Sequence, residues 1–308
     1  MVKDMRETVI ENLRDNVAKE FGEDYRVETG VTEKINNIKL QSITIFKNGE
    51  NAGPNIYVED YINAIMAGRR TIAEVTEIVK EIYNESSEMP DCISNVVNNI
   101  TDKEYVLSRV EYRIVNGELN KSRLANSPKK DIADLYIIYI VVIGDDDQGM
   151  VSITVDNNMM EKAGVSFEEL DAAAKKNTEK ESLMVKNIAD VLLEGAEKMS
   201  IVNTKEIEMV KERPAFLVVS NGNNLFGARV ILRDNLLSGL AKKLGGDFYI
   251  LPSSVHEVMV APVDEYEDWF LKDLVKEANK TSVYTKDKLS DNIYRYYADT
   301  EHFEIVEV

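Results

Sequence analysis

The densest set of reactive side chains in this 308-residue sequence is Leu251-Pro252-Ser253-Ser254-Val255-His256-Glu257. Two hydroxyls, an imidazole and a carboxylate stand together there, the types needed for a nucleophile, a base and a group that orients the base. A second polar block, Ser290-Asp291-Asn292, follows further along. If the two blocks meet, His256 is the general acid or base and Glu257 or Asp291 is the carboxylate that orients it. Ser253, Ser254, Ser290 and Asn292 then bind substrate or supply the nucleophile. Local geometry opposes this. Read as a strand, residues 255–261 alternate, so Ser254 and His256 share one face while Ser253 and Glu257 share the other. The competing reading is a hydrogen-bonded turn with His256 in the core beside Val258 and Val260.

Other chemistry is excluded by spacing. A zinc-protease His-Glu-x-x-His pattern fails because position 260 is Val. Ser127-Pro-Lys-Lys130, Ser290-Asp-Asn292 and Lys280-Thr-Ser282 imitate the motifs of penicillin-binding enzymes, but their order is wrong and the last glycine is a serine. Asp145-Asp146-Asp147 puts Gly149 where an EF-hand loop needs a ligand, so it reads as a hairpin tip. Neither glycine-rich nucleotide cradle is present. Ser220-Asn-Gly-Asn-Asn-Leu-Phe-Gly227 reads as a tight turn, Tyr294 to Tyr297 as a partly exposed strand, and Arg69-Arg70 as the end of a short helix. Cys92 is the one cysteine, which excludes an internal disulfide and a multi-cysteine zinc site. No metal or cofactor is expected.

The elements that must position these residues follow from periodicity. Helices are expected over 2–21, 59–67, 72–85, 92–108, 119–125, 182–199 and 236–244. Thr71 with Glu74 and Ser166 with Glu169 form capping boxes, and Asp264 with Glu267 is expected to open a last long helix. Strands are expected over 25–29, 31–36, 39–46, 55–58, 110–115, 135–143, 150–155, 215–220, 226–232, 248–251, 255–261 and 293–297. The nine-residue apolar run Leu135–Ile143 suits a central strand covered on both faces. Strands come in clusters between helices, which predicts an α+β fold. The softest seam, Asn126–Lys130, suggests lobes of 1–128 and 129–308.

Composition narrows the partners. Apolar residues are 44% of the chain, ordinary for a globular protein. The formal net charge of −18 argues against nucleic acid and anionic membrane, which recruit Lys and Arg. The last 62 residues hold 6 basic and 14 acidic groups, so the excess is concentrated around the two polar blocks. A charged N-terminus and no apolar run of membrane length predict a soluble, cytoplasmic protein.

The chain resembles an uncharacterised bacterial domain-of-unknown-function family. The residues that carry the resemblance are Lys34-Ile-Asn-Asn37, Pro54-Asn-Ile-Tyr57, Leu251-Pro-Ser-Ser-Val-His-Glu257 and Leu289-Ser-Asp-Asn-Ile-Tyr294, and the turn Asn221–Ala228 fits it too. Val155–Thr178 more faintly resembles a second such family. The resemblance implies a bacterial protein and marks 251–257 and 289–294 as signature positions, with no activity attached. Two functions stand: a binding or adaptor module for a basic or neutral protein or small ligand, and a hydrolase built from the two blocks.

Overall fold

The structure, a computed structural model, describes residues 4–50, 53–87, 99–146, 149–198 and 216–307. Cys92, the start of the expected 92–108 helix and Asp147 of the hairpin tip lie outside the described residues. The chain forms two compact units, Met1–Val97 and Asn98–Val308. The fold is α+β, with three antiparallel sheets.

In the first unit, α1 (Met5–Phe21) is opened by the Asp4 carboxylate and closed at Gly22, where φ is 78°. β1 (Tyr25–Glu33) pairs with β2 (Lys39–Lys47), and β2 pairs with β3 (Asn55–Tyr57). The two strands expected over 25–36 are one strand and a 3-10 turn, because the ladder to β2 runs unbroken through Gly30. α2 (Glu59–Met66) and α3 (Ile72–Ser87) complete a core of Leu13, Val17, Ile43, Ile45, Ile62, Val75 and Val79. The Thr71–Glu74 box forms: Glu74 N donates to Thr71 Oγ1 (3.2 Å) and Thr71 N to Glu74 Oε2 (2.7 Å).

The second unit begins with α4 (Lys103–Arg109), β4 (Val110–Asn116) and the one-turn α5 (Gly117–Asn120). β5 (Lys129–Ile132), β6 (Leu135–Asp146) and β7 (Gly149–Thr154) follow. The seam at 126–130 lies inside this unit and leads into β5. β6 pairs with β4, β5 and β7, and Ile137–Val141 are all buried, as its apolar run requires. α6 (Asn157–Ala163) and α7 (Phe167–Thr178) cover this sheet, and the Ser166–Glu169 box caps α7.

β8 (Leu183–Asn187), α8 (Ile188–Lys198), β9 (Leu217–Asn221), α9 (Leu236–Leu244), β10 (Phe248–Leu251), β11 (Val258–Pro262), α10 (Asp268–Thr281), β12 (Tyr294–Tyr297) and β13 (His302–Ile305) complete the unit. Their sheet has the order β13-β12-β10-β11-β9-β8. Alternation along β10 sends Phe248 and Ile250 to a core with Leu240, and Tyr249 and Leu251 to a core with Leu271 and Val275 of α10. No helix among the described residues is long and apolar enough to cross a membrane.

Residues 182–199 are not one helix: 183–187 pair with β9, and the Asn187 Oδ1 accepts from Ala189 N (2.9 Å) where α8 begins. Residues 227–232 form a 3-10 turn instead of a strand, because Arg229 turns inward to a fully buried position. There its Nε donates to Glu181 Oε2 (3.0 Å) and its Nη2 to Glu111 Oε2 (2.8 Å). The strand expected over 255–261 starts only at Val258. The last helix is entered from Glu267 with no side-chain cap, since 263–265 make a 3-10 turn first.

Candidate functional site

The chain leaves the sheet after Leu251 and rejoins it at Val258, and the loop between is held by backbone bonds from two other segments. Pro252 has no N–H to give a ladder, which favours departure at that point. Leu289 N and Ser290 N donate to the carbonyls of Ser253 and Pro252 (both 3.1 Å), and Val255 N donates to Asp287 O (2.8 Å). From the other side Ala228 N donates to Val255 O (3.2 Å) and Ser220 Oγ to His256 O (2.7 Å). Gly227 makes that approach feasible. A Cβ there would lie 2.0 Å from Ser220 Oγ and 2.6 Å from His256 O. The structure thus brings the 221–228, 251–257 and 289–294 blocks into contact.

His256 is 27% exposed and lies on the wall of a cavity. Its ring stacks on Phe226 with centroids 5.4 Å apart. Nδ1 accepts from Phe226 N (3.3 Å) and Nε2 stands 3.4 Å from Asp287 Oδ1. The nearby carboxylate partner is therefore Asp287, which the sequence reading missed. The Arg113 guanidinium lies 3.7 Å from the Phe226 centroid, and its pKa is pushed down to about 10 by burial and then by the Arg229 charge.

Glu257 is not turned away from His256, because the chain bends at Val255–His256 and the strand alternation does not apply. Both residues line one cavity of about 400 Å³ with Asn224, Ser254, Ser282, Val283, Tyr284 and Asp287. Glu257 and Asn224 also line a second cavity of about 390 Å³, beneath α8, with Met184, Ile188, Val191, Gly195, Val218 and Met259. Burial raises the Glu257 pKa, against the attraction of His256 and the hydrogen bond from the Ser254 hydroxyl. Ser254 Oγ also accepts from His256 N (3.0 Å).

The remaining candidates lie elsewhere. Asp291 accepts from Lys288 Nζ (2.6 Å) and Asn279 Nδ2 (2.9 Å). Burial works to raise its pKa, but these two bonds outweigh it and the pKa is lowered. Ser290 Oγ (2.5 Å), Asn292 Nδ2 (3.0 Å) and the Tyr294 hydroxyl all donate to the Asp134 carboxylate. Ser253 is buried, with its carbonyl holding Leu289 N. None of Ser253, Ser290, Asp291 or Asn292 lines the cavity at His256. Asp287, Asn224 and Phe226 do belong to the site or support it. Their only sequence signal is the polar turn at 220–227 and the Lys286-Asp287-Lys288 run. Among the described residues, no group of three or more His, Cys, Asp or Glu side chains could hold a metal ion.

A model described as a family of unknown function, DUF5688, matches residues 6–298. No curated protein and no solved structure matches the chain.

Proposed function

The chain belongs to the DUF5688 family of unknown function, and from the geometry of its second unit we propose a non-catalytic binding or adaptor module that receives a cationic group at Glu257. The setting of that one carboxylate carries the reading. Glu257 is desolvated, borders two cavities, and has no Lys or Arg partner among the described residues. A half-buried carboxylate in that state gains from an incoming cation, which replaces the hydration it has lost. A neutral donor such as an amide or hydroxyl satisfies the same oxygens more weakly.

The hydrolase alternative lacks a contact between base and nucleophile. Both ring nitrogens of His256 are engaged, one by Phe226 N and one by Asp287, and the Ser254 hydroxyl is held by Glu257 and His256 N. The proposal keeps the expectation of a soluble, cytoplasmic bacterial protein. Its net charge of −18 supports the exclusion of phosphate-rich partners.

Thermal unfolding with n-butylamine as the probe tests the reading. Wild type should melt higher as the amine is added, by about 2–4 °C per kcal/mol of linkage for a unit of this size. Glu257→Gln should show no amine-dependent rise. Equal shifts in both proteins would overturn the proposal. Because folding raises the Glu257 pKa, the wild-type response should vanish on acidification before pH reaches the ordinary carboxylate value of 4.5.

A further inference from the structure

The two cavities that meet at Glu257 differ in character. The one beneath α8 is walled by Met184, Ile188, Val191, Val218 and Met259, with the Lys186–Glu194 ion pair (2.8 Å) among its lining. The one at His256 is walled by Ser254, His256, Ser282, Tyr284 and Asp287. Each has the volume of an ordinary small-molecule site, and ligand sites commonly join an apolar wall to a few convergent polar groups. Between them stand the Glu257 carboxylate and Asn224, whose backbone is in the left-handed region at φ 54°. An ammonium has three donors and no acceptor, so it matches a carboxylate together with an amide oxygen.

The geometry points to an amphipathic amine as the ligand: a protonated nitrogen at Glu257 and Asn224, an aliphatic tail in the methionine-lined cavity, and a hydroxyl- or amide-bearing end toward His256. This rests on the reading of Glu257 as a cation site and goes beyond it by placing both ends of the molecule. Methionine side chains suit a tail of variable shape, because they are unbranched and polarizable. Reversing the ligand would set its polar end against mainly apolar walls, where Lys186 and Glu194 already bond each other.

Gly195 supplies the test. It lines the apolar cavity, and a Cβ added there meets nothing within 4 Å. Gly195→Leu therefore adds apolar bulk at the wall of that cavity, and replacing a helical glycine favours folding. Dissociation constants for n-butylamine and n-octylamine are measured by calorimetry on wild type, Gly195→Leu and Glu257→Gln, with octanoate as the charge control. Wild type should bind octylamine at least about tenfold tighter than butylamine, since each buried methylene is worth severalfold. Gly195→Leu should lose that gain and keep butylamine binding, Glu257→Gln should lose both amines, and octanoate should not bind. Octylamine binding no tighter than butylamine, or a gain that survives Gly195→Leu, overturns the placement of the tail while leaving Glu257 as a cation site. Amine binding unaffected by Glu257→Gln instead removes the underlying reading.

Discussion

Asp134 and Glu257 are two carboxylates of the same unit, both reached by side chains of the signature blocks, and they end in opposite states. Asp134 collects the Ser290 hydroxyl, the Asn292 amide and the Tyr294 hydroxyl. Burial, then the Asp134 charge, pushes the Tyr294 phenol pKa well up, so that hydroxyl stays a donor. Glu257 receives one serine hydroxyl and borders two cavities. A carboxylate saturated by donors fastens one segment of chain to another. One left with a single donor beside open space is free to recognise something else.

The largest effect is expected at Asp134. Asp134→Ala takes the carboxylate acceptor away from the fully buried Ser290 and Tyr294 hydroxyls, and urea unfolding should show a loss of about 3–5 kcal/mol. A loss below about 1 kcal/mol would mean the knot is no fastening. Next comes Gly227→Ala, whose methyl would sit on Ser220 Oγ and His256 O. It should cost about 1–3 kcal/mol in the same measurement and weaken the butylamine response by displacing the His256 loop.

Glu257→Gln should behave in the other direction. Folding raises the pKa of this carboxylate, so the unfolded chain gives up the proton first. The penalty is absent below the ordinary value of 4.5 and complete above the raised one. The substitution should therefore be neutral or stabilising at neutral pH, with the gain disappearing in acid. Destabilisation at pH 7 would argue that Glu257 is itself a fastening.

Asp291 sharpens the contrast at the small end. Its side chain is 48% exposed in the pair with Lys288, so Asp291→Asn should cost only about 0.5 kcal/mol. Its folded pKa is lowered, so what stability it adds is present at neutral pH and lost as pH falls through that folded value. A thermal melt series across acid pH reads both effects.

Local signals were legible wherever the deciding partners lay within a few residues. The capping boxes at Thr71 and Ser166 formed as their spacing required, and the apolar run from Leu135 became the central strand of its sheet. The α+β class followed from the clustering of strands. What failed depended on distant partners. Residues 227–232 turn inward because Arg229 meets Glu181 and Glu111, 48 and 118 positions away. The His256–Glu257 bend is set by Asp287, Leu289 and Ala228, so strand alternation placed Glu257 on the wrong side. The signature blocks were recognisable as a set, yet their division between Asp134 and Glu257 was not. A serine hydroxyl reads the same in sequence whether it ends as a fastening or beside a cavity.

The Asp134 knot also has a kinetic meaning. Ser290 reaches Asp134 across 156 positions, and the Asn116 amide reaches Leu289 O across 173. Closing such spans costs chain entropy before any contact rewards it. The sheet around β6 can pair before Leu289–Tyr294 has emerged from the ribosome, but the knot cannot close until those residues arrive. The cavities at Glu257, whose loop is held by Leu289 and Ser290, are therefore completed among the last events of folding, and refolding should restore sheet structure sooner than the capacity to bind.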